Sequence, residues 1–171
     1  MKIQKQYEQV KHLLGKHVED IVTKVEGMCT MVCIQSDGQL RIEITPIASG
    51  PKPEEAHFYD LAQVREKNHN PISDFYREPL PTVEPADFSE LKWMDYYKCI
   101  LTGYKGRLNQ ICIYVNGCVH LSLVSGFNKK DGTNISKWVP YQHLAIELQE
   151  KPREHVKTPP GGPITKSPPR I

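Results

Sequence analysis

The sequence predicts a mainly β protein: two tandem small SH3-like β-barrels with a short N-terminal helix and a flexible C-terminal tail. Three features predict it: an internal repeat, a turn dipeptide at the same place in each copy, and a change of composition near the C-terminus. The repeat places the helix and first barrel in residues 1–75 and the second barrel in 93–150. A proline-rich linker over 76–92 separates them, and a basic, proline-rich tail covers 151–171.

The internal repeat appears when the sequence is shifted by 79 residues, and it runs without a gap from Val22 to Ile44. One residue is then inserted and the match continues. The coinciding pairs include Val22 with Leu101, Gly27 with Gly106, Cys33 with Cys112, Gly38 with Gly117 and, after the insertion, Phe58 with Trp138. Two copies at so long a period indicate a duplicated domain rather than a solenoid.

A short amphipathic helix is predicted at the start of the chain. Ile3, Tyr7, Val10 and Leu14 recur at helical spacing, and Gly15 can end the run as a C-cap. We expect this helix to pack on the residues that follow it.

Each unit is predicted to contain a tight hairpin. Asp37-Gly38 and Asn116-Gly117 lie between alternating apolar runs, which favours two-residue type I′ turns. Pairing residues outward from these turns predicts the core face, because side chains alternate along strands. That face carries Met31, Cys33, Leu40, Ile42 and Ile44 in the first unit, and Cys112, Tyr114, Val119, Leu121 and Leu123 in the second. Gly27 and Gly106 are expected to mark bulges or bends.

The opposite face of the hairpins has an apolar strand beside a polar one. Its apolar side chains are Val32, Ile34, Ile111, Ile113 and Val115. Because contiguous apolar patches outside a core mark contacts, we expect this face to pack on the linker, the other unit or another subunit. The pattern favours a homo-oligomer formed through these residues.

The net charge, the cysteines and the absence of catalytic motifs exclude several classes of function. The formal net charge of +2 excludes a polybasic coat for nucleic acid but leaves local patches open. Five cysteines without a Cys-x-x-Cys pair fit a reduced cytoplasmic protein, with Cys33 and Cys112 as small apolar core residues. We find no spacing typical of a metal site, phosphate loop or nucleophile, and therefore expect no enzyme, metal or cofactor. No stretch is typical of a membrane span or signal peptide.

A candidate ligand site lies in the second unit, around the loop from Gly103 to Asn109. Its predicted residues are Tyr104, Lys105, Arg107, Asn109, His120, Trp138 and Tyr141. Aromatic and basic side chains together can sandwich a base and hold a phosphate. The alternative is that Trp138 and Tyr141 fill the core of the second barrel and that the charges are solvated.

The segment from Lys151 to Ile171 differs from the rest in composition. It holds six of the fourteen prolines, and five positive charges against one negative. Such a segment buries too little to offset its ordering entropy. It is predicted to be flexible, either as a solvated terminus or as an arm that docks or contacts phosphate.

Three segments of the second unit form a pattern: Leu101-Thr-Gly-Tyr-Lys-Gly106, Tyr114-Val-Asn-Gly-Cys118 and Trp138. This pattern resembles a recurrent module of small phage and prophage proteins. The first unit is similar at His57-Phe-Tyr-Asp60 but has Lys24 where the module has glycine. The resemblance implies a phage origin and a barrel fold. It implies no chemistry, because the function of the module is unassigned and a fold does not fix a function.

Two functions follow as hypotheses. The first is a non-enzymatic, phage-encoded accessory or anti-host-defence factor that acts in the host cytoplasm and sequesters an anionic nucleotide-like signal or a host protein. The alternative is a virion structural protein, such as a head decoration or tail-junction subunit, whose proline-rich arm orders on assembly.

Overall fold

The computed structural model describes residues 2–46, 55–67, 87–130 and 132–146. Its elements in chain order are α1 (Ile3–Val10), β1 (His17–Asp20), β2 (Glu26–Gln35), β3 (Leu40–Pro46), β4 (His57–Asp60), β5 (Val64–Glu66), β6 (Tyr96–Cys99), β7 (Lys105–Tyr114), β8 (Val119–Phe127), β9 (Asn134–Pro140) and β10 (Leu144–Ile146). The mainly β class with a short N-terminal helix is confirmed. Within these ranges, no helix is long and apolar enough to cross a bilayer.

The two halves of the chain have the same order of elements. Strands β6, β7 and β8 begin 79 residues after β1, β2 and β3. In both halves a 3₁₀ turn precedes the last strand, Leu61–Gln63 before β5 and Tyr141–His143 before β10. We call β1–β5 unit one and β6–β10 unit two.

All ten strands belong to one sheet, whose central path runs β10-β6-β7-β2-β1-β5. The units meet where β2 pairs antiparallel with β7. Strands β3 and β4 continue from the other edge of β2, and β8 and β9 from the other edge of β7. Among the described strands, β4 does not pair with β5, nor β9 with β10. The sheet is therefore open and continuous, where the sequence predicted two tandem barrels.

The turns that follow β2 and β7 are each one residue longer than predicted. The Tyr114 amide donates to the Cys118 carbonyl at 2.9 Å, and in unit one the Gln35 amide donates to the Gln39 carbonyl at the same distance. Three residues lie between the paired ends of each hairpin, and the third is a glycine with positive φ, 95° at Gly38 and 84° at Gly117. Such loops are the three-residue type with glycine in the left-handed region. The predicted two-residue turns are wrong.

The longer turns shift the hairpin register by one residue, which reverses the faces of β2 and β7. Ile113 pairs with Val119, and Val32 pairs with Ile42. One core therefore spans both units, and its strand residues include Val32, Ile34, Ile42, Ile44, Leu108, Ile111, Ile113, Val119, Leu121 and Leu123. The predicted core face was right for β3 and β8 and wrong for β2 and β7.

The predicted surface between subunits lies inside the chain. Val32, Ile34, Ile111 and Ile113 are enclosed by the shared core, and Val115 is half-buried in the turn after β7. Packing between the units, one of the three expected partners, explains the apolar pattern. These four core side chains are therefore not available to join copies of the chain.

Cys33 and Cys112 form a disulfide between β2 and β7. They are direct partners in the ladder, and the register shift places them opposite the core in a small cluster with Met31 and Tyr114. The prediction that they are reduced core residues is wrong. Cys29 does lie in the core, because a bulge between Cys29 and Met31 changes the alternation of β2.

Helix α1 and residues 87–91 cover the core. The helix buries the predicted side chains Ile3, Tyr7 and Val10, and also Gln6. Phe88 and Leu91, from the described end of the predicted linker, are buried in the same core. Residues 76–86 of that linker and the predicted tail over 151–171 lie outside the described residues.

Candidate functional site

Four of the seven predicted ligand residues lie on one face of the sheet in unit two. Partners opposite each other in a ladder share a face, so the register of β6–β9 identifies the face that points away from the core. We call it the outer face of unit two; its residues are Tyr96, Lys98, Lys105, Arg107, Gln110, Cys112, Tyr114, His120, Ser122, Val124, Phe127, Asn134, Ser136, Trp138 and Pro140. Lys105, Arg107, His120 and Trp138 are the predicted residues among them.

The outer face of unit two combines exposed rings with cations. The Arg107 guanidinium lies 5.0 Å from the centre of the Tyr96 ring, which is cation–π geometry. Lys98 lies opposite Lys105 in the β6–β7 ladder. Trp138 is 52% exposed, so the alternative in which it fills the core is wrong.

The other three predicted ligand residues lie elsewhere. The Tyr104 hydroxyl donates to Ser125 Oγ at 2.9 Å. Tyr141 packs edge-on against Phe88 with ring centres 5.8 Å apart. Asn109 sits at a bulge of β7, where its Oδ1 accepts a 2.7 Å hydrogen bond from the Ser36 hydroxyl of unit one. The seven residues therefore do not form one pocket, because strand alternation and the bulge point them in different directions.

A cavity that the sequence did not reveal lies between the start of α1 and residues 88–93. Its volume is about 730 Å³, which is within the usual range for small-molecule sites. Its described lining includes the aromatic residues Phe88 and Trp93 and the basic residues Lys2 and Lys92, and no described lining residue is acidic. The sequence feature that could have indicated this cavity is a tryptophan that follows a proline-rich stretch. The predicted linker over 76–92 included part of this region, so we did not predict a site there.

The Trp93 ring is held in place from the side of α1. Its Nε1–H donates to Gln6 Oε1 at 2.7 Å, and Gln6 Nε2 in turn donates to the Gln35 carbonyl at 3.3 Å. Gln6 is fully buried. Because the buried amide fixes the indole, Trp93 is a preorganised member of the cavity lining.

The start of α1 gives this cavity a positive end. Lys2 is the N-cap and makes no side-chain capping hydrogen bond, and the first turn contains no acidic residue. The first amides of a helix and its dipole favour an anion. The ammonium groups of Lys2 and Lys92 add to that preference.

Unit one carries a network of ion pairs at the positions that are basic in unit two. Glu19 accepts two hydrogen bonds from Arg65, at 2.9 and 3.1 Å, and these bonds lower the pKa of Glu19. Lys67 lies 2.6 Å from Glu26, and that contact lowers the pKa of Glu26 and raises that of Lys67. This network ties β5 to β1 and β2.

No group of three metal-ligating side chains occurs in the part of the chain that the structure describes. The chain matches no protein-family model, and no curated protein or solved structure matches it either.

Proposed function

We propose that this is a non-enzymatic binding protein that takes a small anionic aromatic ligand of the nucleotide type into the cavity between α1 and residues 88–93. The observation that carries the proposal is the pairing of a fixed Trp93 ring with Lys2 and Lys92 around about 730 Å³ of space. The ring offers a surface on which a base stacks, and the two ammonium groups offer partners for a phosphate.

The biological setting of the proposal comes from the resemblance to the phage module. A phage-encoded protein with such a cavity would act in the host cytoplasm by sequestering a nucleotide-like signal of the host defence, and a host protein is the other partner we consider. In that compartment the Cys33–Cys112 disulfide would have to form despite reducing conditions. The strand order within each unit, β5-β1-β2-β3-β4 with a 3₁₀ turn before the last strand, supports an SH3-like module that has opened to pair with its copy.

Trp93 provides a direct test, because the chain has two tryptophans and Trp138→Phe leaves Trp93 as the reporter. We expect AMP, GMP, CMP or UMP to change Trp93 fluorescence saturably, and adenosine to do so more weakly because it lacks the phosphate. Lys92→Ala should weaken nucleotide binding several-fold. Lys5→Ala, on α1 but outside the cavity lining, is the matched control. Absence of saturable change with all four nucleotides at millimolar concentration would contradict the proposal.

A virion structural protein, as head decoration or tail-junction subunit, is the alternative function. Mass spectrometry of purified virions and of the infected-cell lysate separates the two. Stoichiometric presence in particles would favour the structural role. Abundance in the lysate and absence from particles would favour the binding protein.

A further inference from the structure

The two units differ in charge on equivalent surfaces. At four positions of unit one, the face away from the core carries carboxylates, namely Glu19, Glu26, Glu43 and Asp60. The equivalent positions on the outer face of unit two are Lys98, Lys105, Ser122 and Pro140. Arg107 also replaces Met28. The outer face of unit two therefore has three cationic residues and, among its ladder residues, no carboxylate.

The acidic face of unit one is satisfied within the chain. Glu19 and Glu26 are paired with Arg65 and Lys67, and Glu43 accepts a 2.8 Å hydrogen bond from the Thr30 hydroxyl. These carboxylates therefore have partners within the chain, and their pairing stabilises the fold of unit one. The basic character of unit two is thus a property of that copy and not of the repeated fold.

Large rings accompany the cations on the outer face of unit two. Tyr96, Trp138 and Phe127 are 47%, 52% and 69% exposed. Tyr96 and Trp138 lie on β6 and β9, three strand spacings apart, which is about 14 Å on a flat sheet. Rings spread over such a distance suit an extended ligand with several bases rather than one compact molecule.

We propose that the outer face of unit two binds single-stranded nucleic acid. Bases would stack on Trp138, Tyr96 and Phe127, while Arg107, Lys98 and Lys105 attract the phosphates. An exposed sheet with rings and cations is how sequence-tolerant single-strand binders work. The bases of a duplex are already stacked on each other, so stacking on these rings would add little to the binding free energy of a duplex.

This site is separate from the proposed nucleotide cavity. None of the residues that line the cavity belongs to the outer face of unit two. Failure of mononucleotides to change Trp93 fluorescence would therefore not contradict this proposal. Likewise, failure of oligonucleotides to bind the outer face of unit two would not contradict the proposed nucleotide cavity.

The test measures the anisotropy of fluorescein-labelled dT15 and rU15 with the full chain. We expect saturable binding, and three phosphate contacts predict that log K falls with log salt at a slope of about −2. Trp138→Leu should weaken binding about 5- to 150-fold, the range for loss of one stacked base. Arg107→Ala should reduce the salt slope by about 0.7.

The repeat supplies matched controls in unit one. Phe58 is the equivalent of Trp138 and is 48% exposed, so Phe58→Leu removes a similar ring from the acidic unit. Arg41→Ala removes an exposed arginine there. Both should change oligonucleotide affinity less than twofold, and circular dichroism should show that all four variants fold.

Each outcome bears on the proposal. Binding of dT15 and rU15 alike supports backbone-and-base recognition, and preference for rU15 supports it with an added contact to the 2′-hydroxyl. Equal affinity for a 15-base-pair duplex, an unchanged affinity of Trp138→Leu, or no binding of either oligonucleotide at 50 mM salt would overturn it. Displacement of dT15 by poly-glutamate at equal charge concentration would also overturn it, and would indicate an acidic protein segment instead.

Discussion

Asp20 and Cys99 occupy the same position in the two units, at the turn after the first strand. In both units the carbonyl of this residue accepts the amide four residues on, from Lys24 at 2.9 Å and from Gly103 at 2.8 Å. Burial by itself raises the pKa of Asp20, but hydrogen bonds from the Thr23 hydroxyl and amide bring it below its ordinary value. Hydrogen bonds from Thr102 likewise lower the pKa of Cys99. In both copies the hydrogen bonds of the turn therefore favour the anionic form of this side chain.

Asp20→Asn tests that stabilisation. The substitution removes the charge from a carboxylate whose Oδ2 accepts two 2.6 Å hydrogen bonds, so we expect a loss of about 1–3 kcal/mol in the free energy of unfolding at pH 7. The folded pKa lies below the unfolded value, so this contribution is complete above the unfolded pKa and disappears as pH falls through the folded pKa. Urea denaturation at pH 7 and below pH 4 should show the gap between variant and wild type closing in acid. A gap that does not depend on pH would contradict this account.

At the scale of elements, two glycines let strands approach closely. A Cβ at Gly27 would overlap the Thr45 carbonyl oxygen, and one at Gly106 would lie 2.9 Å from the carbonyl carbon and oxygen of Val124. Neither glycine is itself the bulge that the sequence predicted. The bulges lie three residues further along each strand, at Thr30 and Asn109, so the close approach and the bulge are separate features of the same strand.

Gly106→Ala should destabilise the fold by about 1–3 kcal/mol, because the added methyl group meets backbone that cannot move without disturbing the β7–β8 ladder. Gly126→Ala is the control, since nothing lies within 4 Å of a Cβ there, and it should change stability by about 0.5 kcal/mol or less. Thermal denaturation of the two variants measures both effects. Equal denaturation midpoints for the two variants would show that the close approach of the strands at Gly106 does not make a methyl group there destabilising.

At the scale of the whole molecule, the two units pair around a local two-fold axis. In the β2–β7 ladder Val32 pairs with Ile113 and Ile34 with Ile111, and each of these pairs becomes the other when the units are exchanged. Cys33 pairs with Cys112, its own equivalent. The chain is thus arranged like a symmetric dimer in which the same patch of both partners forms the interface, with a disulfide on the axis.

The disulfide predicts a thiol count and a stability difference. Alkylation in denaturant should modify three cysteines without prior reduction and all five after it, because Cys29, Cys99 and Cys118 are free. The bond closes a loop of 79 residues, and chain entropy predicts that its loss costs about 4.5 kcal/mol. The double variant Cys33→Ala/Cys112→Ala should show this loss in urea, while Cys118→Ala should not. Five modified cysteines before reduction would contradict the bond.

The sequence by itself determined the β class, the presence of a short N-terminal helix and the equivalence of the two units, because spacing and turn chemistry are local. The α-helix ends at Val10, earlier than the predicted end at Gly15. It also indicated that aromatic and basic residues cluster in unit two. Four of the seven predicted ligand residues do share the outer face of unit two. Only the tertiary structure decided the rest. One extra residue in each hairpin turn exchanged the faces of β2 and β7, since a strand has a side-chain period of two. The same shift moved four predicted interface residues into the core and moved Cys33 and Cys112 out of it. The pairing of β2 with β7 then placed the two cysteines opposite each other. The cavity at Trp93 depends on contacts between α1 and residues far along the chain, and no local pattern encodes such contacts.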